Sequence, residues 1–257
     1  MLYNLEHIVN DILEHIESRE PFSLVRLGDG DLKLLSALTR EKVNRPKFDR
    51  SGIPYDKKKW LMNLYKNSCN NANYTSSFEM YDSENFWKRS FSKGTSELIK
   101  NWKQIYDNAE IINDNFCSPE IGHLLFLDDI NLLHEIKGRR IGLITCFKQA
   151  ATHLKQHKIK LILIPALNNG HYNKYKTIIK EIKKADVDLF FVGAGALGKG
   201  YLNVIKYNGS VGIDIGQVMN VWAGRKVAKR FNNVISYNRK TTSFILTKQS
   251  KKFRKFL

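Results

Sequence analysis

The chain has 257 residues, of which 42% are hydrophobic, 11% aromatic and 26% charged, an ordinary globular composition that excludes a disordered, collagen-like or linker-like protein. Its length fits one domain with a sizeable core, and its longest apolar runs, LILIPAL at 161–167 and LFFVGAGALG at 189–198, fall short of the roughly 18–20 residues that cross a bilayer. The net charge of +17 is concentrated: from Ile215 to Leu257 there are 11 Lys and Arg and no acidic residue, which implies an anionic partner such as nucleic acid, an anionic membrane surface or a phosphate-rich substrate.

Leu5, Ile8, Val9, Ile12, Leu13 and Ile16 recur at helical spacing and predict an amphipathic opening helix. That opening is acidic and lacks a basic segment and a small-residue cleavage site, so no secretion signal is read there and a cytoplasmic protein is expected. The run PFSLVRLGDGD at 21–31 predicts a short strand closing on a Gly/Asp turn, with a helix following in LKLLSAL. Residues 42–120 are polar, rich in Asn, Lys and aromatics, and mostly helical in pattern; they are expected as a helical insertion after the first strand. Cys69, Cys117 and Cys146 are widely spaced and odd in number, which offers neither a disulfide framework nor a cysteine zinc site.

Four apolar runs then predict strands at 141–146, 160–166, 188–193 and 210–216, with helix-like stretches at 148–157 and 172–185 and a last edge strand at 243–247. This alternation predicts an α/β, Rossmann-like fold with a mostly parallel sheet flanked by helices. A single domain is expected over 1–257, ending in a basic tail at 249–257 whose KKFRKFL interleaves bases with apolar residues.

In an open parallel sheet, ligands bind beyond the carboxyl ends of the strands, here Arg26–Asp31, Cys146–Lys148, Pro165–His171, Gly193–Lys199 and Asp214–Gln217. Asp29 and Asp31 beside Gly28 and Gly30 suit a hard divalent cation, Mn²⁺ or Mg²⁺, while Arg26 can pair with a phosphate; the structural alternative is a tight turn with Asp31 capping a helix. In VGAGALGKG, Gly193, Gly195 and Gly198 form G-x-G-x-x-G with Asp214 beyond, the dinucleotide arrangement. The same loop matches G-x-x-x-x-G-K, with Gly200 in place of the Ser or Thr that would hold Mg²⁺. Common to both is a phosphate site made of backbone N–H groups at a helix start plus Lys199; the alternative is a glycine-loosened turn. Asp214 suits a sugar hydroxyl, a general base or a helix cap, and His171 is a substrate-contact candidate.

FSLVRLGDGD followed by LKLL resembles the opening signature of the GT-D-type glycosyltransferases, usually R-x-G-D-G-E, and GIDIGQVMNVWAG resembles their A-x-D-I-G-type second signature. The resemblance implies a cytoplasmic bacterial enzyme, and the basic tail adds an expected peripheral contact with an anionic membrane at its inner face or with a phosphate-rich acceptor. The enzyme would move a sugar from a nucleotide-sugar donor, often UDP-linked, with a divalent cation, to a glycan or glycoprotein, the basic tail adding a phosphate-rich polymer as an expected acceptor class. The family's Asp-x-Glu metal motif falls on Asp29 and Asp31, the second acid one methylene shorter. Arg26, Gly28, Gly30, Gly193, Gly195 and Lys199 are then expected at the donor diphosphate, and Asp31, Asp214 and His171 in catalysis. Two other readings compete. An NAD(P)-dependent oxidoreductase would use GAGALG and Asp214, although only 57 residues follow Gly200. A basic nucleic-acid-binding protein would exploit the positive charge but leaves the GDGD pair without a role, so nucleic acid is not the expected partner.

Overall fold

The computed structural model describes residues 1–39, 53–79, 93–155, 157–165, 171–225, 235–238 and 243–246. Helix α1 (Leu5–Ser18) buries Leu5, Ile8, Val9, Ile12 and Ile16 on one face, as their spacing predicts. The Asn4 side chain starts the helix by accepting the His7 N–H at 2.8 Å, and Arg19 ends it in the left-handed conformation at φ +58°.

Seven parallel strands follow among the described residues: β1 (Phe22–Val25), β2 (Tyr74–Ser76), β3 (Phe116–Cys117), β4 (Arg140–Thr145), β5 (Lys158–Leu163), β6 (Leu189–Gly193) and β7 (Val211–Asp214). Their order in the sheet is β3-β2-β1-β7-β6-β4-β5. The sheet is therefore wholly parallel, an α/β architecture with helices around it. β1, β6 and β7 are central and buried nearly end to end because helices and loops cover both faces; β5, at the edge, keeps exposed lysines at Lys158 and Lys160.

The helices are α2 (Asp29–Thr39), α3 (Lys58–Asn70), α4 (Lys93–Lys100), α5 (Trp102–Asn108), α6 (Ile121–Leu124), α7 (Leu132–Glu135), α8 (His171–Lys184), α9 (Gly195–Tyr207) and α10 (Val218–Trp222). Helix α9 lies on β1, β6 and β7 and packs against α3 and α8. This packing is close enough that a Cβ on Gly200 would overlap the Tyr175 hydroxyl and Leu64. Trp222 closes the other end of the core between Phe126 and Phe191, at ring-centroid distances of 5.1 and 6.0 Å.

Three expectations take a different form. The stretch 42–120 supplies α3, α4 and α5 but also two strands of the main sheet, β2 and β3, of three and two residues. Runs that short carry no period, so only their partners reveal them. The helix expected over 148–157 is a 3-10 run, Lys148–Leu154, with no side-chain cap at Phe147 and two buried residues, Ala150 and Leu154, to hold it. The strand expected over 243–247 is β9 (Ser243–Leu246), which pairs antiparallel with β8 (Ile235–Asn238) outside the main sheet. The buried Phe244 ties it to the body, its N–H donating to Phe126 O at 2.7 Å. The basic tail at 249–257 lies outside the described residues. No helix among the described residues is long and apolar enough to cross a membrane.

Candidate active site

Register brings four strand ends level: Val25 is one residue beyond the Leu24↔Ile213 pair, Val192 pairs with Asp214, and Thr145 pairs with Gly193. The loops that follow β1, β7, β6 and β4 therefore open side by side. The chain leaves β4 toward β5 on one side and leaves β6 toward β7 on the other, so the sheet has a topological switch point between β6 and β4, where such folds bind ligands. A cleft of about 570 Å³ lies along this edge. Arg26, Gly28, Asp29, Gly30 and Asp31 border it from β1, Gly193, Gly195 and Ala196 from β6, Gly216, Gln217, Met219 and Asn220 from beyond β7, and Cys146 and Phe147 from β4.

The RLGDGD segment makes this wall by running directly into a helix. Helix α2 begins at Asp29, so the two acids occupy its first turn, where carboxylates are favoured by the helix dipole. Asp31 reaches back to accept the Gly28 N–H at 2.8 Å through Oδ2, and its Oδ1 accepts the Tyr65 hydroxyl at 2.6 Å. It thus caps the helix from its third position rather than from the residue before it. Burial, together with the Asp31 charge, holds the Tyr65 phenol well above its ordinary pKa, so it stays a donor. Asp29 accepts the Lys33 ammonium at 3.1 Å on a more open side of the cleft.

Beneath the cleft lies a buried charge network. Lys199 is 2% exposed, with its ammonium 2.5 Å from Asp214 Oδ2 and 3.6 Å from Asp31 Oδ2. Burial pulls the Lys199 pKa down, but the Asp214 and Asp31 carboxylates outweigh it and the net shift is upward. Asp214 also accepts the Gly216 N–H at 3.0 Å and stands 3.9 Å from Arg26 Nε. Arg26 donates through Nη1 to Pro119 O at 3.3 Å. Glycine is required beside it: Gly216 has φ +45°, and a Cβ there would overlap the guanidinium.

Of the residues expected at the site, Arg26, Gly28, Asp29, Gly30, Asp31, Gly193 and Gly195 border one cleft. Lys199, Asp214 and His171 do not. Lys199 lies on α9 one turn past its start and points inward, so its charge goes to two carboxylates instead of to a phosphate at the surface. Asp214 ends β7 as the dinucleotide pattern requires, yet it is 4% exposed and held by Lys199, which takes it away from a ribose or from an acceptor hydroxyl. His171 is fully buried, its Nε2 2.9 Å from the Tyr201 hydroxyl, and burial lowers its pKa to about 4. Residues 166–170 of the loop before it lie outside the described residues. Tyr65 and Phe147 join the site without having been singled out in the sequence. Tyr65 lies within the helical segment 42–120, where nothing local marks it, whereas Phe147 follows a predicted strand end directly and that position was its signal.

A family model described as a GT-D fold-like domain matches residues 3–222. The structure is similar to a solved structure of the domain of unknown function 1792, described as a distinct glycosyltransferase fold. The two chains are 15% identical, with 96% of this chain and 92% of that one covered and a TM-score of 0.54. It is also similar to a new glycosyltransferase of the same domain type from Streptococcus sanguinis, again at 15% identity, covering 98% and 97% of the two chains with a TM-score of 0.57. No curated protein matches the chain by sequence. At these identities the structural likeness concerns the fold.

Proposed function

The chain belongs to the GT-D-like family, and from that premise we propose that it is a glycosyltransferase taking a sugar from a nucleotide-sugar donor, UDP-linked in the first instance, with the help of a divalent cation. The observation that supports this reading most directly is the switch-point cleft. Its β1 wall offers Arg26 and the Asp29/Asp31 pair, and its β6 wall offers the glycines and first turn of α9. The chemistry to be served is departure of a diphosphate, on which negative charge builds as the sugar–phosphate bond breaks. Arg26, held by Pro119 O and by Asp214, is a fixed positive charge at that wall. Gly193 and Gly195 let the diphosphate approach the backbone closely.

The donor set fits a hard cation that borrows ligands from substrate and water. Among the described residues no group of three or more His, Cys, Asp or Glu is arranged to hold a metal, so those residues do not build a closed cage. Mg²⁺ and Mn²⁺ sites that complete their shell with phosphate oxygens need only one or two carboxylates. Asp29 borders the cleft in an ion pair with the half-exposed Lys33, and both Asp31 oxygens accept hydrogen bonds. A cation bound there would neutralise charge on the leaving diphosphate. Asp31 keeps the β1 loop and α2 in register through Gly28 and Tyr65.

The acceptor side of the reading rests on charge. The +11 excess over residues 215–257 favours a glycan, glycoprotein or phosphate-rich polymer at an anionic surface, with the enzyme at the inner face of a membrane. The test is thermal stabilisation by a panel of nucleoside diphosphates with and without Mn²⁺. A true ligand at a hundredfold excess over its Kd adds about 2.7 kcal/mol of stability. A metal-dependent shift with one diphosphate, lost in Asp29→Ala while that variant keeps its own melting temperature, is the expected result. A metal-independent shift with NAD(H) would favour the oxidoreductase, and no shift with any nucleotide would overturn the transferase reading.

A further inference from the structure

The proposed donor is an anion, yet the charges that border the cleft balance: Arg26 and Lys33 stand against Asp29 and Asp31. One more cation reaches this edge from the β4 side. The Arg225 guanidinium carbon lies 4.4 Å from the centre of the Phe147 ring, and Phe147 borders the cleft. Arg225 is exposed, while the arginines paired with carboxylates among the described residues are Arg26 and Arg140.

Its position is set twice. Helix α10 ends in a left-handed turn at Gly224, φ +79°, with the Gly224 N–H donating to Val221 O at 2.9 Å and the Arg225 N–H donating to Asn220 O at 3.0 Å. Asn220 itself borders the cleft, so this turn fixes the backbone of Arg225 against a cleft wall. The ring then fixes the side chain. A guanidinium over an aromatic ring keeps N–H donors with which to pair a phosphate, and the arginine fork matches a phosphate in bidentate geometry.

We propose that Arg225, held over the Phe147 ring, is a phosphate-binding residue for the donor nucleotide. This rests on the nucleotide-sugar reading above and deepens it, by assigning to the β4 side of the cleft a contact with the phosphate rather than with the base. It also adds a positive charge to a cleft whose own side-chain charges cancel.

Cys146 supplies a readout that does not depend on turnover. Cys69 and Cys117 are fully buried, whereas Cys146 is half-buried and borders the cleft, so native-state alkylation reports on occupancy of that space. Burial raises the Cys146 pKa and Arg225 lowers it in part, so the intrinsic alkylation rate will change in an Arg225 variant. The quantity to compare is therefore the ligand concentration that gives half protection. UDP, GDP, CDP, ADP and dTDP would each be set against the matching nucleoside, at fixed Mn²⁺, in native protein, Arg225→Gln and Arg225→Lys.

The expected result is a rise of roughly tenfold or more in the half-protecting concentration of the preferred diphosphate in Arg225→Gln, with its nucleoside unchanged and partial recovery in Arg225→Lys. Equal weakening of nucleoside and diphosphate would overturn the proposal, because Arg225 would then serve the base or merely cover Phe147. An unchanged diphosphate value in Arg225→Gln, with native protein protected as usual, would overturn it while leaving the nucleotide-sugar reading intact. If no diphosphate protects native protein, the nucleotide-sugar reading falls and this assignment with it.

Discussion

Replacing Lys199 with methionine separates the two roles that this residue can have. Methionine is close to lysine in length and volume, so the packing of α9 on β7 is largely kept while the buried cation is removed. In the native fold that cation sits 2.5 Å from Asp214 and 3.6 Å from Asp31. Breaking a buried pair by deleting one partner typically costs about 3–5 kcal/mol, because a charge is left buried without compensation. Both acids keep other donors here: Asp214 retains the Gly216 N–H, and Asp31 retains Tyr65 and the Gly28 N–H. The lower end of that range, about 3 kcal/mol, is therefore expected, which for a chain of this size lowers Tm by about 6–12 °C. Urea denaturation and thermal melting measure it, and the double variant Lys199→Met/Asp214→Asn should regain most of the loss, since it removes the stranded charge along with its partner. A Lys199→Met protein that melts within about 1 °C of native but loses affinity for nucleoside diphosphates would refute this reasoning and restore the lysine to the surface phosphate role that its glycine-rich loop suggests.

Two further perturbations test the packing around the same helix. Gly200→Ser completes the G-x-x-x-x-G-K-S pattern, yet its Cβ would meet the Tyr175 hydroxyl and Leu64; a loss of about 1–3 kcal/mol in urea denaturation with no gain in Mg²⁺-dependent nucleotide binding is expected, and an unchanged midpoint would contradict the packing described. His171 is held at about pKa 4 by burial, below its ordinary value, so the unfolded chain takes up a proton before the folded one does as pH falls. Native stability should therefore decline between about pH 6.5 and 4, by up to about 3 kcal/mol from this group. His171→Gln should flatten that part of the stability–pH curve, and identical slopes in the two proteins would show that other groups carry it.

The periodic segments were legible in the chain because each depends on its own residues. The apolar spacing of α1, the apolar runs within β4, β6 and β7, and the loops RLGDGD and GIDIG at strand ends are all local patterns. So was the grouping of Arg26, Gly28, Asp29, Gly30, Asp31, Gly193 and Gly195 along one edge, since every strand in a parallel sheet ends on the same side. The placement of the remaining three candidates was not legible. Asp214 and Lys199 are 15 residues apart and separated by the rest of a helix, and nothing in either loop says that one will neutralise the other. Their meeting depends on β7 lying between β1 and β6, which only the order of strands decides. That order also brings Asp31 to the same ammonium and sets the switch point beside Phe147, with Arg225 over its ring. Residue type and spacing identify which groups can carry charge at a strand end. Whether a charge faces the cleft or is neutralised beneath it is settled by partners distant in sequence, because a buried ion persists only where the tertiary fold supplies its counter-ion.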